Sequence, residues 1–191
     1  VKVYWIDELL RLGACAEAIA WAKKYNSLED AWQSCSNGGW MLWLAGRVSS
    51  EPFSDIRRSL VLALCECIKL KFELIPIPEI QLLIAIETAE RWARGDTNVS
   101  FDMLRAAAND TCMAYGTARS RVLACINNAV SCAIATAYWS NTTIAHTVVW
   151  SLVCITDRLD VDALQLQCAN IIRKYYPTAP DIALCNYEPA R

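Results

Sequence analysis

Only one histidine, His146, occurs in the chain, and no two of its ten cysteines form a Cys-x-x-Cys pair. A mixed zinc site therefore lacks both its second histidine and the usual ligand spacing, and no metal is expected. Lysine and arginine never gather into a block: 18 basic residues face 20 acidic ones, mixed along the whole chain, for a net charge of −2. Nothing there would track a phosphate backbone, so direct nucleic-acid binding is not expected. No apolar run approaches the roughly 18–20 residues a membrane span needs. Asn127-Asn128 interrupts one candidate and His146 sits in the other. The opening "VKVYWIDELLRL" puts Asp7 and Glu8 where a signal peptide needs apolar residues, which points to a cytoplasmic protein.

Catalytic signatures are missing too. There is no glycine-rich phosphate loop and no H-E-x-x-H. Asp157, Asp160 and Asp162 fall at an expected helix junction, where acids favour the positive end of a helix. His146, alone in "TTIAHTVVW", reads as an interior or boundary residue of a helix. The expectation is a non-enzyme with no catalytic residue and no cofactor.

What the chain does have is apolar mass. Of 191 residues 55% are hydrophobic and 20% charged, enough for one domain with a substantial core. Disulfide frameworks belong to small secreted chains, so the cysteines read as small buried hydrophobes. Cys65 and Cys67, two apart on a helix, point to nearly opposite sides.

Apolar periodicity is helical nearly throughout. A short helix over about Tyr4 to Leu12 stops at Gly13, and a second runs from about Ala14 to Tyr25. Ser27 caps a third that ends near Asn37-Gly38, and the fourth begins there. Ser54 caps a long fifth helix ending before Pro76. Its polar residues Asp55, Arg58, Ser59, Glu66, Lys69 and Glu73 make one thin stripe, so it is expected near the centre, with Glu66 and Lys69 as a solvated pair.

Pro78 suits the first turn of a sixth helix that ends at Gly95. Its inner face is Leu82, Ile86, Ala89, Trp92 and Ala93, and Glu87–Arg91 and Glu90–Arg94 are expected pairs outside. After the cap Ser100, the residues Asp102, Arg105, Asn109, Ser120, Asn127 and Ser131 keep one helical phase. That predicts a single long Ala-rich rod, with Gly116 as a bend. Asn141 or Thr142 starts the next helix, and Asp160 caps the last, which Pro177 ends. The fold expected is an all-α, single-domain bundle of about eight or nine helices over residues 1–177, with a tail at 178–191 extended along the surface or frayed.

Five stretches, in this order, carry a resemblance: "GACAEAIAWAKKY" (Gly13–Tyr25), "LEDAWQSCSNGGWMLWLAGRV" (Leu28–Val48), "RRSLVLALCECIKL" (Arg57–Leu70), "AIETAERWARGD" (Ala85–Asp96) and "LQCANIIRKYYP" (Leu166–Pro177). Together they resemble the fifth family of predicted immunity proteins of bacterial polymorphic-toxin systems, which has relatives among phage and prophage proteins. The resemblance implies an all-α cytoplasmic protein that binds and neutralises a bacterial protein, and it implies no catalytic residues. Between about Asn109 and Trp150 family members are monotonous in Ala, whereas this chain carries more Asn, Thr, Ser, Cys and Arg. That departure suits a scaffold put to another use, such as a phage-encoded, anti-CRISPR-type inhibitor of a bacterial defence system.

Trp40 and Trp43, in "GGWMLWLAGR", are an exposed grip or bricks of the core. Trp40, Met41, Leu42, Trp43 and Leu44 cover most of a helix's circumference, and a motif shared by a family does not distinguish partners. They read as core, with Arg47 laid on Trp43. The partner-binding surface is expected where the chain departs from the family, on the stripe Asp102, Arg105, Asn109, Ser120, Asn127 and Ser131. Two other readings stay open. A helical domain that sequesters a small molecule or signal nucleotide would show a deep pocket with two or more Arg or Lys, and a cysteine-dependent enzyme would show a Cys–His contact.

Overall fold

The computed structural model describes residues 4–49, 51, 53–74, 80–118, 120–138 and 144–182. Among them the chain forms ten α-helices and no strand: α1 (Tyr4–Arg11), α2 (Ala16–Ala22), α3 (Leu28–Ser34), α4 (Gly38–Val48), α5 (Asp55–Lys69), α6 (Ile80–Ala93), α7 (Phe101–Thr117), α8 (Arg121–Ala135), α9 (Ile144–Val153) and α10 (Val161–Tyr175). Pro78, Asn141 and Thr142 lie outside the described residues.

Side-chain caps start most of the long helices. Ser27 accepts from the Asp30 N–H at 3.0 Å, Ser54 from Arg57 at 3.3 Å and Ser100 from Met103 at 3.2 Å, as their sequence positions predict. Asn37 does the same for α4, accepting from the Trp40 N–H at 2.9 Å. Asp160 departs from expectation: it precedes α10 but makes no side-chain cap.

Seven helices pack in a closed circuit, each against the next: α5, α6, α7, α8, α9, α4, α10 and back to α5. α5 also touches α8 across the circuit, which is why its sides carry so little polar surface. Leu60, Leu64, Cys67 and Ile68 are fully buried on it. Each such aliphatic side chain contributes about 1.5–3 kcal/mol relative to exposure. The core runs without a break from Ile6 to Ile182. No helix among the described residues is long and apolar enough to cross a membrane.

Three arginines tie helix ends together. Arg57, with no exposed surface, donates from Nε to the Ser49 carbonyl after α4 and from a terminal nitrogen to the Thr136 carbonyl after α8, at 2.5 Å. Arg58 donates to the Trp92 carbonyl in the last turn of α6 at 2.8 Å. Arg173 donates to the Trp32 and Cys35 carbonyls at the end of α3, at 3.1 and 2.8 Å. Those carbonyls lie at helix C-termini and carry the negative end of the helix dipole, which a guanidinium complements; the Trp32 and Trp92 oxygens accept in addition from the Cys35 and Gly95 N–H groups.

The long rod is not continuous. α7 ends at Thr117, Ala118 is extended, and Ser120 caps α8 by accepting from the Leu123 N–H at 3.2 Å. The two halves fold back as a hairpin, the most extensive helix pairing among the described residues. Glu66 and Lys69 do not pair with each other either. Glu66 takes Lys174 at 2.8 Å and the Tyr175 hydroxyl at 2.8 Å, while Lys69 reaches Glu90 on α6 at 2.5 Å. Glu90 does meet Arg94, at 3.4 Å, but Arg91 turns to Asp96 at 2.7 Å rather than to Glu87.

Two glycines are fixed by geometry. Gly95 ends α6 with φ of 87°, a left-handed conformation costly for other residues. At Gly38 a Cβ would stand 2.5 Å from the Cys168 Cβ and 3.0 Å from the Ala169 nitrogen, so α4 crosses α10 there with no room for a side chain. The described part of the tail is tied down. Gln33 donates to the Pro177 carbonyl at 2.6 Å, Glu29 accepts from the Ala179 N–H at 2.7 Å, and Ile182 is buried.

Candidate functional site

On α7, Leu104, Ala108 and Thr111 turn inward and Asp102, Arg105 and Asn109 turn outward. The outward three lie at i, i+3 and i+7 and so form one face, which Met113 extends by another turn. Arg105 donates to Asp102 at 2.9 Å, and no other acceptor holds its guanidinium among the described residues. Part of its planar fork stays available to an incoming carboxylate.

Beside that face lies an edge-to-face chain of aromatic rings that sequence reasoning missed. Phe53 meets Trp92 at 6.1 Å and Phe101 at 5.7 Å, and Phe101 meets Tyr138 at 5.2 Å. Two guanidinium groups sit over this chain, Arg58 over Trp92 at 5.1 Å and Arg105 over Phe101 at 5.6 Å. Burial pushes the Tyr138 phenol up from its ordinary value, with Arg105 acting against it. Phe53 and Phe101 both remain exposed.

Phe53 has φ of 64°, in the left-handed region, which costs a non-glycine residue about 1–3 kcal/mol. Its N–H donates to the Ala137 carbonyl at 3.1 Å, and its ring contacts hold the conformation. A signal was present in the turn "EPFSD", which sets a phenylalanine between a proline and a helix cap. Nothing local says that Phe101 and Tyr138 meet it.

The second half of the expected stripe is elsewhere. Ser120 is a helix cap. Ser131 donates to the Ala108 carbonyl of α7 at 3.0 Å, inside the hairpin. Asn127, one turn before it, is 1% exposed, and its Nδ2 has no partner among the described residues. The structure thus groups Asp102, Arg105 and Asn109 on one open face and withdraws Asn127 and Ser131 from it. The phase continues along the sequence, but the chain reverses at residue 118, so the same phase now points back at the first helix.

Trp40 and Trp43 are neither fully core nor free. Both are half-buried, and they divide two hollows. One, of about 60 Å³, is apolar and lies against Trp5, Trp21 and Trp32. The other, of about 560 Å³, is bounded further by Asn37, His146, Trp150 and Gln165. Arg47 lies over the Trp43 ring at 5.8 Å, as expected. Trp150 is 63% exposed, the most open described indole of this wall.

Cys15 and His146 both border the larger hollow. Several other thiols are buried or partly buried. Burial pushes Cys65 up to about 12 and Cys132 to about 11, and a contact with Cys168, then burial, raises Cys67 well above a free thiol. Cys35 and Cys168 are buried, whereas Cys112 and Cys154 are exposed, so the structural reading of cysteine fits part of the set. A third hollow, of about 530 Å³, pairs Lys69 and Lys71 with Glu73 and Asp160, so its charges balance.

No family model matches the sequence, and no curated protein or solved structure matches it either. Among the described residues the architecture is all-helical.

Proposed function

We propose that this protein is a non-catalytic inhibitor that binds another protein through the outward face of α7 and the aromatic chain beside it. The observation that carries the reading is Arg105, stacked on exposed Phe101 with part of its guanidinium uncommitted. Arginine and large aromatics dominate binding energy at protein interfaces, and a rigid helical face orders few side chains on contact. The strain held at Phe53 supports the same assignment, because such conformations cluster where structure serves binding.

The partner is a folded bacterial protein, a toxin or a component of a defence system, as the resemblance to toxin-immunity proteins and phage proteins suggests. It presents a carboxylate to Arg105 and an apolar side chain to Phe53 and Phe101. In this reading residues 1–177 act as one helical domain in the cytoplasm, by occupying the partner rather than by chemistry.

Quantitative capture from a bacterial host lysate tests it. Arg105→Glu and Phe101→Ala should each lower recovery of a specific host protein about 30-fold, the equivalent of a 2 kcal/mol hot spot. Trp150→Ala should leave recovery unchanged. Recovery that follows Trp150 and ignores Arg105 would place the contact on the opposite set of residues.

A further inference from the structure

The hollow of about 560 Å³ has a chemistry of its own, independent of the α7 face, and its volume suits a small ligand. Its apolar wall is three indoles, Trp40, Trp43 and Trp150, contributed by α4 and α9. Its polar lining includes two amides, Asn37 before α4 and Gln165 on α10, together with Glu17 and His146.

The orientation of those amides is set by backbone hydrogen bonds. Asn37 Oδ1 accepts from the Trp40 N–H at 2.9 Å, and Gln165 Oε1 accepts from the Gly39 N–H at 3.0 Å. Each oxygen is thereby committed, and each NH₂ group is left without an acceptor among the described residues. The two amides flank Gly39: a Cβ there would stand 3.2 Å from Asn37 Oδ1 and 3.9 Å from Gln165 Nε2. Having no side chain, Gly39 leaves both open to the hollow. An amide donor wants an acceptor, and two adjacent donors fit the two oxygens of a carboxylate.

We infer that this hollow binds a small aromatic carboxylate, with its ring against the tryptophans and its oxygens on Asn37 Nδ2 and Gln165 Nε2. Two features bear on the charge. The first turn of α4, an eleven-residue helix, contains no acid, so only the neutral amide oxygens of Asn37 and Gln165 meet its positive end. Glu17, in the first turn of α2, also borders the hollow and opposes an anion, but its side chain is exposed and screened by solvent. Among the described residues no lysine or arginine lines the hollow, which favours a single carboxylate over a polyphosphate.

Fluorine NMR of the full chain carrying 5-fluorotryptophan tests this, with resonances assigned by single Trp→Phe substitutions. The probe is 3-phenylpropionate, with 3-phenylpropionamide and 3-phenylpropylamine for comparison. The acid should shift the resonances of Trp40, Trp43 and Trp150 saturably, the amide should bind more weakly, and the amine should not bind. Asn37→Asp and Gln165→Glu each keep the oxygen that accepts from α4 and replace the donor by a second anion. Each should weaken the acid about tenfold or more while melting stays unchanged. Absence of a saturable shift, an amine or amide that binds as well as the acid, or full binding by both variants would each overturn the assignment.

Discussion

Arg57 has no exposed surface and remains a cation, although burial lowers its pKa from the ordinary arginine value. Its guanidinium joins the ends of α4 and α8 from the first turn of α5, so three elements depend on one side chain. Arg57→Leu would leave buried carbonyls without donors, and we expect a loss of about 3–5 kcal/mol in urea denaturation. Arg57→Lys should recover little of it, because an ammonium lacks the planar fork that reaches two carbonyls at once. A variant within 1 kcal/mol of wild type would show that water or rearranged backbone meets those carbonyls instead. The sequence offers no signal for this residue: its partners are main-chain oxygens, which every residue possesses.

At the scale of the element, the α7–α8 hairpin determines which polar residues face solvent. Helix caps were legible, because Ser27, Ser54 and Ser100 each act within three residues of themselves. The break after Thr117 was not, since Ala118 is a good helix former and Gly116 is tolerated inside the helix. Cross-helix charge pairing was equally hidden. Glu66 and Lys69 look like neighbours on one turn, yet each finds a better partner on another helix.

The pair between Glu66 and Lys174 predicts a pH dependence. Burial alone would raise the Glu66 carboxyl, but hydrogen bonds from Lys174 and Tyr175 hold it below its ordinary 4.5. A depressed acid adds stability that is present above about pH 4.5 and is lost as pH falls through the lower folded value. Lys174 is raised above 10.5, chiefly by Glu66, so its share is present below pH 10.5 and is lost as pH rises through the folded value. Glu66→Gln should therefore melt lower than wild type between those limits, and the gap should narrow as pH falls below 4.5 and through the lowered folded value. A constant gap across that range would mean that packing of the side chain, not its charge, joins α5 to α10.

For the whole molecule, a closed circuit of seven helices, with α5 also packed across it against α8, builds a scaffold from segments that read clearly as amphipathic or apolar helix. That much of the fold was legible, including the central place of α5 and the inner face of α6. The candidate site was legible in half. Asp102, Arg105 and Asn109 stand out as one polar stripe, whereas Phe53, Phe101 and Tyr138 come from three distant stretches that only tertiary packing joins. Site-specific photo-crosslinking in the bacterial host tests most directly whether a partner protein lies on the α7 face. A benzophenone side chain at Asn109 or at Met113, both exposed on α7, should crosslink one and the same host protein. The same group at Lys23, exposed after α2, should not. Crosslinking of that protein from Lys23 and not from Asn109 or Met113 would contradict the account.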